Sequence, residues 1–107
     1  MKQYLSPEQT AKLIKLGFEK PKTPNFYSVG ATWVQCEGDY SIGELIEMLP
    51  DEIYVDETTY SKVIDKTDVC YYSWALEVYA ISICDVQEEL IDNLYDMILK
   101  LKEEEII

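Results

Sequence analysis

The chain has 107 residues, 48% hydrophobic and 12% aromatic, enough for one domain with its own core and too apolar for a disordered segment. Twenty-one acidic residues face nine lysines, with no arginine and no histidine, for a net charge of −12. That balance opposes direct binding to nucleic-acid phosphates or to an anionic membrane, and three cysteines without C-x-x-C spacing oppose a zinc site or a disulfide framework.

The first predicted element is a helix over 7–16. Ser6 is its N-cap, Pro7 stands at N1, and Gln9 completes an S-x-x-Q capping box. Gly17 is the expected C′ stop, with Phe18 folding back on the helix. Lys20–Asn25 carries two prolines and breaks regular structure. Short strands are expected at 26–29 and 32–36, around a turn at Gly30-Ala31. A short middle helix follows at 42–49, with Ser41 and Glu44 as its capping box and Pro50 as its stop.

From Glu52 to Cys84 the residues are rich in Tyr, Val, Ile and Thr, which favours strands. Strands are predicted at 53–55, 60–64, 69–74 and 78–83. The expected turns are Asp56–Thr59 and Asp65–Asp68, and Ala75-Leu76-Glu77 is open between a bend and a helical turn. Joints this tight imply an antiparallel meander. Asp85, with Glu88 three residues on, is the expected N-cap of the last helix. Leu90, Ile91, Leu94, Met97, Ile98 and Leu101 form that helix's apolar stripe. The tail Glu103–Ile107 is expected to fray. The predicted fold is therefore α+β, a single domain over 1–107. A small, mostly antiparallel sheet of about four to five strands is packed by an amphipathic C-terminal helix, with an N-terminal helix and a short middle helix.

Chemistry is sparse. No glycine pattern cradles a nucleotide, and Glu37-Gly38-Asp39 does not match a calcium loop, so no cofactor or metal is expected. The segment Met1–Pro7 has no apolar run of a secretory leader. No apolar run approaches the ~18 residues of a membrane span, and the cysteines read as reduced core residues. A cytoplasmic location is expected. The charge is uneven: residues 1–22 hold five lysines against two acids, whereas Glu37, Asp39, Glu44, Glu47, Asp51, Glu52, Asp56 and Glu57 fall in a lysine-free stretch. These eight are the candidate acidic face for binding another protein. Tyr71, Tyr72 and Trp74 are the candidate aromatic surface; strand alternation sends Tyr72 and Trp74 to one face and Tyr71 to the other, one of which must be core.

Three segments carry a resemblance. Leu5-Ser6-Pro7-Glu8-Gln9 runs on to Lys15-Leu16-Gly17-Phe18; Tyr40–Pro50 reads YSIGELIEMLP; Leu90–Ile98 reads LIDNLYDMI. In this order they resemble small uncharacterised proteins encoded in prophages and other mobile elements of gut Bacteroidetes. The closing helix departs from that pattern, with Leu99-Lys100-Leu101-Lys102 where a tryptophan-bearing apolar run is usual. The resemblance implies an accessory protein and carries no catalytic residue. The expected function is a non-enzymatic acidic protein-binding module, in one form a nucleic-acid mimic whose carboxylates fill a partner's basic groove. The alternatives are a small enzyme built on two close carboxylates, and a homo-oligomer formed through an exposed strand edge or Ile106-Ile107.

Overall fold

The computed structural model describes residues 3–21, 25–30, 32–36, 38–83 and 89–107. The elements in chain order are α1 (Pro7–Lys15), β1 (Asn25–Val29), β2 (Thr32–Cys36), α2 (Ile42–Met48), β3 (Glu52–Val55), β4 (Thr58–Asp65), β5 (Asp68–Ser73), β6 (Val78–Ile83) and α3 (Leu90–Glu103). The fold is α+β. β3 to β6 form an antiparallel meander in sequence order, and β1 pairs with β2 in a separate two-stranded ribbon.

Both predicted capping boxes form. The Ser6 hydroxyl accepts from the Gln9 amide at 3.2 Å, and the Gln9 side chain accepts from the Ser6 amide at 2.9 Å. Ser41 and Glu44 do the same at the start of α2. Before α1, the segment around Tyr4 pairs with the one before α2: the Leu5 amide donates to the Tyr40 carbonyl, and the Ile42 amide to that of Gln3. Gln9 also donates to the Asp92 carboxylate at 3.1 Å, tying α1 to α3.

α3 organises the core. It packs on β5, β6 and α2, and Ile91, Leu94, Met97, Ile98 and Leu101 are fully buried. Burying each such side chain contributes about 1.5–3 kcal/mol. Asn93 and Tyr95 are buried too, off the predicted stripe, because this helix has neighbours on more than one side. Asn93 donates to the Thr67 carbonyl at 2.7 Å, holding the β4–β5 turn to the helix. α3 starts later than expected: its N-cap is Glu89, which makes no side-chain cap bond, while Asp85 and Glu88 lie outside the described residues.

The three helices end in two ways. α1 closes in a Schellman motif: Gly17 has φ +103°, its amide bonds the Ile14 carbonyl, and the Phe18 amide bonds that of Leu13. α3 closes in the same motif, with Glu105 at φ +58° in the glycine position and the Ile106 amide on the Leu101 carbonyl at 2.9 Å. Ile106 and Ile107 pack against the core, so the tail is folded where fraying was expected; a hydrophobic residue after the left-handed position is part of the motif. α2 has neither glycine nor basic residue at its end. Instead Lys62 of β4 donates from Nζ to the carbonyls of Ile46 at 2.9 Å and Leu49 at 3.1 Å, and the Tyr71 hydroxyl of β5 donates to that of Pro50 at 2.7 Å.

Lys62→Met is expected to destabilise the fold by about 1–3 kcal/mol in urea denaturation, because it strips a charged donor from buried carbonyls at a helix C-terminus. Most of that loss should remain in an Asp51→Ala background, since the Lys62–Asp51 pair at 3.2 Å has its carboxylate in full solvent contact.

Glu57 and Glu105 sit at φ +63° and +58°. Glu57→Gly and Glu105→Gly should each stabilise by roughly 0.5–1 kcal/mol, relief of left-handed strain exceeding the added chain entropy. Gly17→Ala should move the midpoint the opposite way, although its missing side chain faces open space.

Burial, and secondarily Asp51, pushes the Tyr71 hydroxyl well above its ordinary value of 10.0. Its raised folded pKa means that the protonated phenol supports the fold fully below pH 10, and this support is lost as pH rises through the folded value. Stability should therefore fall above pH ~10, and the fall should be shallower in Tyr71→Phe.

Candidate protein-binding surface

β5 sorts its side chains by alternation. Val69, Tyr71 and Ser73 point inward to the core and are buried. Tyr71 is therefore removed from the candidate aromatic surface: its ring is fully buried and its hydroxyl serves α2. Tyr72 points the other way. Opposite it stand Ser61 on β4 and Tyr79 on β6, and Ser61 in turn faces Glu52 on β3, so these four share the outer face. β6 carries one extra residue in this pairing, between Tyr79 and Ile81.

β5 ends at Ser73, one residue short of the predicted strand, and Trp74–Glu77 make the turn. Ser73 builds that turn: its hydroxyl accepts from the Leu76 amide at 3.2 Å, and its carbonyl accepts from the Glu77 amide at 2.7 Å. Glu77 closes it at φ +56°. The turn brings Trp74 back against Tyr72, edge to face with centroids 4.7 Å apart, while Tyr79 lies tilted against Tyr72 at 4.8 Å. Trp74 is 70% exposed, Tyr79 61% and, on the same outer face at β3, Tyr54 69%. Leu76 and Val78 are exposed beside them. Toward the other end of β5, Cys70 is buried. Sequence reasoning singled out Tyr72 and Trp74, with Tyr79, but not Tyr54; the alternation of Tyr54 with Ile53 was the available signal.

The predicted acids are divided. Glu37 lies outside the described residues. Asp39 is only 7% exposed and does not belong to a surface. Glu44 serves the α2 capping box. Glu44 and Glu47 line a groove of about 430 Å³ with Phe18, Glu19, Lys20, Tyr40 and Met48. Tyr40 is buried and donates its hydroxyl to the Glu19 carbonyl. Burial first, then Glu44 and Glu19, raise the Tyr40 pKa. Asp51 and Glu52 are exposed at the start of β3, and Asp56 and Glu57 form the two-residue turn at its other end, both at positive φ.

Among the described residues, no group of three or more His, Cys, Asp or Glu side chains is placed to hold a metal ion, and no helix is long and apolar enough to cross a membrane. Comparison with protein-family profiles, with curated proteins and with solved structures gives no match.

Desolvation, then the charge of Glu77 and then Tyr79, raise the Tyr72 pKa above 10.0. In Glu77→Gln the Tyr72 titration midpoint, followed by NMR of its ring carbons, should move down toward that value. An unmoved midpoint would show that Glu77 turns away from the rings.

Proposed function

We propose that this chain is a non-enzymatic protein-binding module, an acidic accessory protein of a mobile element that engages its partner through the outer face of the sheet at the β5–β6 turn. The observation that supports it is the cluster of exposed Trp74 and Tyr79 around half-buried Tyr72, with exposed Leu76 and Val78 beside it. Contiguous apolar surface of this kind costs solubility in a monomer and is characteristic of an interface. Tyrosine and tryptophan supply large contact area with few rotamers to freeze, which is why they dominate binding hot spots. The rings are held by a six-residue strand and a turn closed on Ser73, so little ordering is left for the binding step.

The charge sets the partner's sign. With a net of −12, long-range attraction steers a basic protein toward the chain and salt weakens the encounter. In its narrower form, the partner is a nucleic-acid-handling protein whose cationic groove the carboxylates occupy.

The test compares wild type with Trp74→Ala/Tyr79→Ala as bait in a lysate of the native host, after circular dichroism has shown the same fold for both. A protein retained by wild type and lost from the double variant is the expected result. An identical set on both baits would remove this face as the binding surface.

A further inference from the structure

The outer face at the β5–β6 turn combines two chemistries. Tyr72, Trp74 and Tyr79 offer electron-rich ring faces, the rings of Trp74 and Tyr79 each lying within 5 Å of that of Tyr72. Carboxylates border them: Glu77 in the turn itself, and Glu52 in the same cross-strand row as Tyr72. Neighbouring strands lie about 4.8 Å apart, so Glu52, two strands away, is roughly 10 Å from Tyr72, within the span of a long side chain and its neighbours. Of the two lysines between β3 and β6, Lys62 points inward to the end of α2, and Lys66 stands in the turn at the far end of β4.

We infer that the Tyr72–Trp74–Tyr79 platform binds arginine side chains carried on a segment of a basic partner protein, the guanidinium planes lying on the rings while Glu77 and Glu52 pair with their N–H groups. The inference rests on the module reading above and gives that module its partner chemistry. Arginine fits better than lysine because its flat, weakly hydrated cation stacks on a ring and still presents N–H donors in its plane to a carboxylate. A compact ammonium does one or the other. A second copy of this chain does not fit. It has no arginine to offer, and two chains of net charge −12 repel.

The probe is a short synthetic peptide in which arginine alternates with threonine, with lysine and citrulline versions as controls. Citrulline keeps the planar shape and removes the charge. Each is titrated into the full chain and followed by NMR of the Trp74 indole N–H and the tyrosine rings. The arginine peptide is expected to bind saturably, with its shifts concentrated on Tyr72, Trp74 and Tyr79. The lysine peptide should bind several-fold more weakly and the citrulline peptide not measurably. Trp74→Ala should weaken the arginine peptide by roughly tenfold, the scale of one desolvated cation–π contact. Glu52→Gln/Glu77→Gln should also weaken it and flatten its salt dependence. Both sites are solvent-exposed, so these variants leave the core intact.

Equal binding of arginine and lysine peptides, indifferent to Trp74→Ala, would overturn the inference by showing diffuse charge attraction alone. Shifts centred on the Glu44–Glu47 groove would overturn it by placing the cation elsewhere. The module reading fails separately: a host partner lost from the Trp74→Ala/Tyr79→Ala bait, with no arginine-peptide binding, sinks only the arginine chemistry.

Discussion

The arrangement depends on how the C-terminus of α2 is satisfied. This helix has seven residues and ends in an extended Leu49 followed by Pro50, so it makes no left-handed cap of its own. Its last carbonyls would be stranded against the sheet at a cost of about 1–3 kcal/mol each. Lys62 and Tyr71, cross-strand partners on β4 and β5, supply the missing donors. Because they are directly opposite one another, both must face the same side. That fixes the inner face of the sheet, and with it the outward direction of Ser61 and Tyr72. A one-residue slip of either strand would send these donors to solvent and bring Tyr72 into the core.

The same pairing separates two tyrosines that are adjacent in sequence. Tyr71 is committed to structure, its phenol held to the Pro50 carbonyl. Tyr72 is left on the outside, where the four-residue turn folds Trp74 onto it. The aromatic surface is thus a consequence of the core. Once Val69, Tyr71 and Ser73 are inside, alternation leaves no inward position for the next ring.

Acidic residues occupy places where other chemistry is common. Asp56, Glu57, Glu77 and Glu105 all stand in left-handed backbone, a position that glycine or asparagine takes at lower cost. Turns carry carboxylates at the ends of strands and at the end of α3 as a result. This distributes the negative charge around the molecule and places Glu77 against the aromatic cluster. The N-terminal third, richer in lysine, contributes Lys102's counterpart in packing rather than charge: Phe18, folded back after α1, lies 5.5 Å beneath the Lys102 ammonium.

Features that depend on neighbours in sequence were readable from the residues alone. Both S-x-x-Q/E capping boxes, the Gly17–Phe18 stop, the meander of β3 to β6 and the Asp65–Asp68 turn follow from contacts within three or four residues. The assignment of faces did not, because alternation gives two equivalent choices and only Lys62 and Tyr71 reaching α2 selects between them. The burial of Asn93 and Asp39, and the packing of Ile106 and Ile107, were likewise decided by distant contacts. A run of acids in sequence implied one acidic face; the fold assigns Glu44 to a helix cap, buries Asp39, leaves Glu47 at the groove beside α2 and sets Asp51 and Glu52 at one end of β3 and Asp56 and Glu57 at the other. Sequence by itself determined the helices, strands and turns, which are local hydrogen-bonding problems. Only the tertiary structure decided which side chains share a surface, because that depends on strand register and on what the far end of a helix needs.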